Sequence, residues 1–168
     1  MAVIRERTEA DLDGCATVLK AVHKASGYPV RGVADPVGFI SNPNIIQAWV
    51  AEHAGRIVGH VGVANPDPNA SDVKLWKDGG NQDDIAALER LFVDPEAQGL
   101  GIAKQLISTA VAYAASRSLR LVLYNLEKDT IARRMYEKLG WTFYGNFQFR
   151  WAEDSQMKAY CFVSPALS

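Results

Sequence analysis

The stretch LERLFVDPEAQGLGIAKQL, residues 88–106, decides the fold of this chain. Its first half predicts a β-strand, because residues that favour strands stand together there: Leu88, Leu91, Phe92 and Val93. Asp94-Pro95 ends this strand, since proline has no N–H for a sheet and restricts the residue before it. After two glycines, apolar residues at helical spacing predict a helix: Ile102, Leu106 and Ile107. A strand, a glycine-rich turn and a helix therefore form the centre of the predicted fold.

The start of that helix is a predicted anion site. The N–H groups of a first helical turn have no intrahelical acceptor, and the helix dipole adds partial positive charge. Gly99 and Gly101 have no Cβ, so a phosphate can approach their backbone closely. Lys104 stands where a dinucleotide fingerprint needs a glycine, and the chain has no Gly-Lys-Ser/Thr of a P-loop. A phosphate-bearing ligand of another kind is expected.

Two motifs resemble those of one family. Gln98-x-x-Gly101-x-Ala103 is similar to Q/R-x-x-G-x-G/A, the cofactor motif of the GNAT superfamily of N-acetyltransferases. Residues 129–141, DTIARRMYEKLGW, resemble a second signature of that family, N-x-x-A-x-x-x-Y-x-x-x-G-F/W. With the predicted hairpin that precedes the first motif, the similarity covers residues 4–144. Asp129 departs from the family's usual asparagine, and a carboxylate cannot donate a hydrogen bond as an amide would.

The resemblance implies an α/β fold with acetyl-CoA as co-substrate: a central mixed β-sheet flanked by helices, as in acyl-CoA N-acyltransferases. It implies that backbone amides hold the pyrophosphate, namely those of Gln98, Gly99, Leu100, Gly101, Ile102, Ala103 and Lys104. It also implies that Leu91, Phe92 and Val93 pair with the pantetheine arm like an added strand. A backbone N–H of Phe92 or Leu91 would then polarise the thioester carbonyl. The resemblance also implies a cofactor contact at the position of Asp129.

Two residues are candidates for catalysis. Tyr136 matches the tyrosine that protonates the departing thiolate in many relatives, and the alternative is that its ring only packs against the sheet. Glu89 lies where some relatives carry the base that takes the amine proton, and the alternative is a solvated or salt-bridged strand glutamate. Weaker base candidates are Asp83, Asp84 and His60. A histidine among small apolar residues is more often a hydrogen-bonded core residue.

The acceptor is predicted from the charge of residues 65–89. This segment carries two lysines and six acids: Asp67, Asp72, Asp78, Asp83, Asp84 and Glu89. An acidic rim would favour a cationic amine, while scattered charge ordinarily marks a solvated loop. We therefore interpret the chain as an N-acetyltransferase that moves an acetyl group from acetyl-CoA to a primary amine of a small cationic molecule, by direct attack in a ternary complex. The alternatives are a protein or peptide N-terminal acetyltransferase and a non-catalytic acyl-CoA-binding regulatory domain.

Composition limits the other classes. A chain of 168 residues that is 48% hydrophobic predicts one domain, residues 1–168, with one core. A net charge of −1 gives no general attraction to nucleic acid or membranes. Cys15, Cys161 and three scattered histidines give no metal-type spacing. The charged N-terminus does not resemble a signal peptide, and no stretch approaches about 18 apolar residues, so a cytoplasmic protein with reduced thiols is expected.

The rest of the chain predicts the other elements. Strands are expected at 3–5, 46–52, 56–64, 119–125, 141–151 and 157–164, and helices at 11–24, 36–41, 102–116 and 129–139. The strand-helix-strand order across 88–125 predicts a parallel pair. Residues 65–84 predict a long polar loop, either a surface hairpin or a lid over the acceptor. A homodimer could form through aromatic residues of the last hairpin, which core packing explains equally well: Trp141, Phe143, Phe147, Phe149 and Trp151.

Overall fold

A computed structural model describes residues 2–168, and the chain forms two compact units. The first unit consists of the residues up to Ala64 together with Leu88–Ala112. The second consists of Asn65–Ala87 together with Tyr113–Ser168.

The chain alternates strands and helices. The strands are β1 (Val3–Glu6), β2 (Ile45–His53), β3 (Arg56–Ala64), β4 (Ile85–Val93), β5 (Arg120–Leu126), β6 (Thr142–Ala152) and β7 (Ser155–Val163). The helices are α1 (Leu12–Ser26), α2 (Pro36–Ile40), α3 (Ser71–Asp78), α4 (Ile102–Ala115) and α5 (Thr130–Lys138), with 3-10 turns at Glu9–Asp11 and Pro95–Ala97. The strand order is β1-β2-β3-β4-β5-β7-β6, with β4 and β5 parallel. The predicted mixed α/β sheet with flanking helices is confirmed.

In the first unit, Thr8 and Asp11 form a capping box at the 3-10 turn that leads into α1. The Thr8 N–H donates to Asp11 Oδ2 at 2.7 Å, and Arg5 donates to both oxygens of the same carboxylate at 2.8 Å. The helix ends at Gly27, whose φ of 79° gives a left-handed C-cap. The apolar side of α1 packs with residues of α2, β2 and β4 in one core: Cys15, Ala16, Val18, Leu19, Val22, Ile40, Val50 and Phe92.

In the second unit, Ile85–Ala87 of β4 pairs in parallel with Arg120–Val122 of β5. The predicted parallel pair is therefore confirmed. β7 lies between β5 and β6 and is antiparallel to both, as the predicted closing hairpin requires. The core of this unit contains Val73, Trp76, Ile85, Val122 and Val163.

The prediction of a polar loop over residues 65–84 is wrong for Ser71–Asp78, which form α3. Val73 and Trp76 lie three residues apart, on one face of a helix, and are only 1% and 4% exposed. The Trp76 ring packs edge-on against Tyr144 at 5.3 Å, and the Tyr144 hydroxyl donates to Asp72 O at 2.8 Å. Contacts with a residue distant in sequence, Tyr144, thus stabilise this helix, whose many polar residues indicated a loop.

Candidate active site

Strand β4 has an irregular backbone at its centre. Arg90 has a φ of 56°, a left-handed conformation that costs a non-glycine residue about 1–2 kcal/mol. Its Nε donates to Phe39 O at 2.9 Å, and its guanidinium carbon lies 3.9 Å from the centre of the Phe39 ring. A left-handed residue inside a strand redirects the groups that follow it. Those groups belong to Leu91, Phe92 and Val93, the predicted pantetheine contacts.

Asp94 ends β4 and fixes the turn that follows. Its N–H donates to Val58 O at 2.8 Å, and its carboxylate accepts from the Glu96 N–H at 3.0 Å and pairs with Arg56 at 2.9 Å. Burial opposes the charged form, but the hydrogen bonds from Glu96 and Arg56 outweigh it, so the pKa of Asp94 is lowered. The polypeptide therefore leaves the strand in a defined direction towards the two glycines.

Gly99 and Gly101 precede α4 with φ of 85° and 75°. A Cβ at either position would meet nothing within 4 Å, so the space beside this backbone is open. The Gln105 N–H donates to Gly101 O, and the N–H groups of residues 102–104 precede this first intrahelical bond. A glycine turn that opens into a helix start fits a pyrophosphate, as acetyl-CoA requires.

The predicted cofactor residues of the first unit differ in exposure. Gln98, Gly99, Leu100, Gly101 and Lys104 are exposed, while Leu91, Val93 and Ala103 are half-buried. Phe92 and Ile102 are 3% and 2% exposed, so these two can offer only backbone groups to a ligand. This distribution fits binding by main-chain amides.

Gly59 of β3 helps to place α4 and was not among the residues predicted from the sequence. A Cβ on Gly59 would lie 3.1 Å from Leu106 Cδ1 and 3.3 Å from Ile102 Cγ2, so the helix packs on bare backbone. The available signal was the glycine inside a predicted strand, which often marks close approach of another element.

Glu89, the predicted base, is half-buried on β4. Its Oε2 lies 3.7 Å from Arg90 Nη1. This ion pair agrees with the alternative of a salt-bridged strand glutamate. The role of Glu89 as the base stays a prediction.

The weaker base candidates lie in different surroundings. Asp83 pairs with Arg120 at 3.2 Å, and Asp84 is exposed. His60 is fully buried and hydrogen-bonded, so the structure shows the core histidine that the alternative describes.

The prediction that Asp72 belongs to an acidic rim is wrong. This residue is only 6% exposed, and burial raises the pKa of its carboxyl. Asp67, Asp78 and Asp84 are exposed and remain candidates for attracting a cation.

The second unit holds the two remaining predicted residues. Tyr136 of α5 is 3% exposed, and its ring lies edge-on to Trp141 at 5.0 Å. Asp129 is the N-cap of α5; its Oδ1 lies 3.3 Å from Lys128 Nζ, and its carbonyl accepts from the Arg133 N–H at 3.2 Å. Roles for the Tyr136 hydroxyl in acid catalysis and for Asp129 in cofactor binding stay predictions.

A groove of about 660 Å³ lies on the second unit, beside α5 and the last hairpin. Its lining residues are Arg133, Glu137, Trp141, Thr142, Phe143, Tyr160 and Phe162. None of the predicted catalytic or cofactor-binding residues lines it. Across residues 2–168, no helix is long and apolar enough to cross a membrane.

Comparison with known proteins decides the family. The sequence profile of the acetyltransferase (GNAT) family matches residues 19–141. The chain belongs to this family. The predicted class, an acetyl-CoA-dependent N-acetyltransferase, is confirmed at this level, and acetyl-CoA is the co-substrate of GNAT enzymes.

Curated relatives of this GNAT chain include mycothiol acetyltransferases. It is 31% identical over 121 residues to the one from Thermobispora bispora, covering 71% of this chain and 32% of that protein. It is 30% identical over 108 residues to the one from Cellulomonas flavigena, covering 63% and 27%. The chain thus matches only about a third or less of the length of these relatives.

Solved structures share the GNAT fold over nearly the whole chain. NAA60 from Arabidopsis thaliana, in complex with a bisubstrate analogue, gives a TM-score of 0.75 at 20% identity and covers 97% of both chains. The ribosomal-protein-S18-alanine N-acetyltransferase from Escherichia coli gives a TM-score of 0.70 at 17% identity, covering 100% of this chain and 96% of that one. These likenesses concern the fold alone.

Proposed function

We propose that this GNAT chain moves the acetyl group of acetyl-CoA to the primary amine of a small cationic molecule, by direct attack in a ternary complex. The observation that carries the proposal is the open turn at Gly99 and Gly101, which leads into α4 in a chain with the family's sequence profile. The relatives named mycothiol acetyltransferases favour a small-molecule acceptor. The exposed acids Asp67, Asp78 and Asp84 favour a cationic one.

In the proposed reaction, the amine nitrogen attacks the thioester carbonyl carbon and the carbon–sulfur bond breaks. Glu89 takes the proton that the nitrogen loses, directly or through a water, and Tyr136 gives a proton to the departing thiolate. A backbone N–H of Leu91 or Phe92, redirected by the left-handed Arg90, stabilises the charge on the carbonyl oxygen.

Transfer without an acetylated cysteine agrees with the state of both thiols. Cys15 and Cys161 are 0% exposed. Burial raises the pKa of each thiol to about 12, so neither supplies a thiolate nucleophile at neutral pH.

The test is acetyl-CoA-dependent thiol release with a panel of acceptors: polyamines, amino acids, aminoglycosides, mycothiol-related amines and short peptides. We expect turnover with a small cationic amine. Turnover confined to peptides would overturn the acceptor class and favour N-terminal acetylation of proteins. Acetyl-CoA binding without turnover of any acceptor would favour a non-catalytic binding domain.

A matched pair of variants tests the cofactor site by calorimetry. Gly101→Ala and Gly55→Ala introduce the same strain, because φ is 75° at Gly101 and 78° at Gly55 and a Cβ meets nothing at either. Gly101→Ala should weaken binding of acetyl-CoA but not of S-acetylpantetheine, which lacks the pyrophosphate. Gly55→Ala should leave both affinities unchanged. Equal effects of the two variants on acetyl-CoA would contradict a pyrophosphate site at this turn.

A further inference from the structure

His60 of β3 is fully buried, and both of its ring nitrogens have partners. Nδ1 lies 2.8 Å from Arg90 O, and Nε2 lies 3.0 Å from Arg7 Nη1. A carbonyl can only accept and a guanidinium can only donate, so Nδ1 must carry the hydrogen and Nε2 must be unprotonated. The two contacts therefore permit one state of the ring, the neutral Nδ1–H tautomer.

The electrostatics of the first unit favour the same neutral state. Burial is the main cause that lowers the pKa of His60, to about 4, and the charges of Arg7 and Arg90 act in the same direction. The hydrogen bond to Arg90 O opposes the shift without cancelling it. The geometry and the charges agree on a histidine that does not titrate near neutral pH.

These contacts belong to a closed path. Arg7 Nη1 also donates to Ile40 O at 2.8 Å, and Arg90 Nε donates to Phe39 O at 2.9 Å. Since Phe39 and Ile40 are consecutive residues of α2, the path from Arg7 through His60, Arg90 and α2 returns to Arg7. We call it the Arg7–His60–Arg90 ring. It joins the end of α2 to the irregular centre of β4.

We propose that His60 is a positioning residue for acetyl transfer: through the Arg7–His60–Arg90 ring it holds the left-handed backbone of Arg90 and thereby the direction of the N–H groups of Leu91 and Phe92. This rests on the proposed function, in which one of those N–H groups faces the thioester carbonyl. The left-handed conformation of Arg90 is unfavourable for a non-glycine residue and persists only where its surroundings fix it.

His60 contacts the residues on both sides of Leu91, one of the two proposed acyl contacts. Its Nδ1–H binds the carbonyl of Arg90, and its ring stacks on Phe92 with centres 5.2 Å apart and planes 13° apart. Leu91 is therefore bracketed by two residues that His60 touches. A displacement of about 1 Å at an oxyanion donor can cost about 10²-fold in rate, so small losses of this support should reach kcat.

Nuclear magnetic resonance tests the geometry without any need for activity. In the wild-type protein, ¹⁵N shifts of the His60 ring should show the neutral Nδ1–H tautomer between about pH 5 and about pH 7. His60→Leu should change the backbone shifts of Arg90 and Phe92. His60→Asn, whose amide can replace the Nδ1–H donor, should largely retain the shifts of Arg90. An Nε2–H or cationic ring at neutral pH, or unchanged shifts in His60→Leu, would overturn the proposal.

Kinetics tests the positioning role. His60→Leu should lower kcat by about 10- to 100-fold while the Kd of acetyl-CoA changes little, and His60→Asn should recover most of that loss. His53→Leu makes the same replacement at the end of β2 and should leave kcat unchanged. A folded His60→Leu protein with normal kcat, or equal losses in the leucine and asparagine variants, would overturn the proposal.

The two proposals fail separately. If the wild-type protein turns over no acceptor, the proposed function fails, and the resonance experiment still decides whether His60 holds Arg90. If wild-type turnover is normal and His60→Leu retains it, only the positioning role fails.

Discussion

Leu106 of α4 packs on the bare backbone of Gly59 in β3. A Cβ on Gly59 would lie only 3.1 Å from Leu106 Cδ1, so a larger residue would not leave room for this contact. Ile102, one helical turn earlier, makes the second close approach, at 3.3 Å. Ile102 is also the first residue of α4, directly after the glycine turn. The contact between strand and helix therefore helps to decide where the proposed pyrophosphate site lies.

Replacing Gly59 by alanine should displace the start of α4. We expect Gly59→Ala to weaken acetyl-CoA binding and to lower the free energy of unfolding by about 1–3 kcal/mol, as overpacking of a core does. Gly62→Ala is the matched control on the same strand, because its Cβ would meet its nearest atom at 3.4 Å, an ordinary contact distance. Calorimetry and urea unfolding measure the two effects. Equal acetyl-CoA affinity in the two variants would contradict the expectation.

Local signals sufficed for the centre of the fold. The Asp94-Pro95 stop and the glycine pair at 99 and 101 act through backbone conformation, which a residue type determines without distant partners. The two-residue hairpin at Ala54 and Gly55, with φ of 52° and 78°, was likewise predictable from its residues.

Features that depend on distant contacts were not predictable. Helix α3 is stabilised by packing of Trp76 against Tyr144 of β6. The two residues are far apart in sequence, so the polar residues around Trp76 indicated a loop. The left-handed Arg90 is held by His60 and Phe39, neither of which is near it in sequence. A sequence pattern identifies which residues are present but not which distant carbonyl a buried side chain will bind.

The proposed acid can be tested by removing one oxygen atom. Tyr136→Phe keeps the ring that packs against Trp141 and removes only the hydroxyl. Turnover should fall on the order of 10²-fold with little change in acetyl-CoA affinity, as expected for loss of a general acid. Tyr160→Phe, which removes a hydroxyl that donates to Glu127 at 3.3 Å, is the control and should retain turnover. Unchanged kcat in Tyr136→Phe would show that this tyrosine serves packing alone.

The proposed base can be tested by removing the negative charge of Glu89, which also removes its ion pair with Arg90. Glu89→Gln keeps the size of the side chain but cannot accept the amine proton, so kcat/KM should fall by about 10²- to 10⁴-fold. The loss should shrink as pH rises, because a larger fraction of the amine then arrives already deprotonated. Asp84→Asn, at the exposed alternative candidate, gives the comparison. A larger loss in Asp84→Asn would transfer the role of base to that residue.

The buried His60 should make the protein less stable in mild acid. Its pKa of about 4 in the folded state lies below the usual histidine value of about 6.5, so between these values the unfolded chain binds more protons and stability falls as pH falls. The slope should approach about 1.4 kcal/mol per pH unit within that window. His60→Asn removes this titration, so its difference in free energy of unfolding from the wild-type protein should narrow on acidification. Urea unfolding at about pH 7 and about pH 5 measures that difference. A constant difference would mean that His60 has the same pKa in the folded and unfolded states, which would contradict the neutral, buried ring.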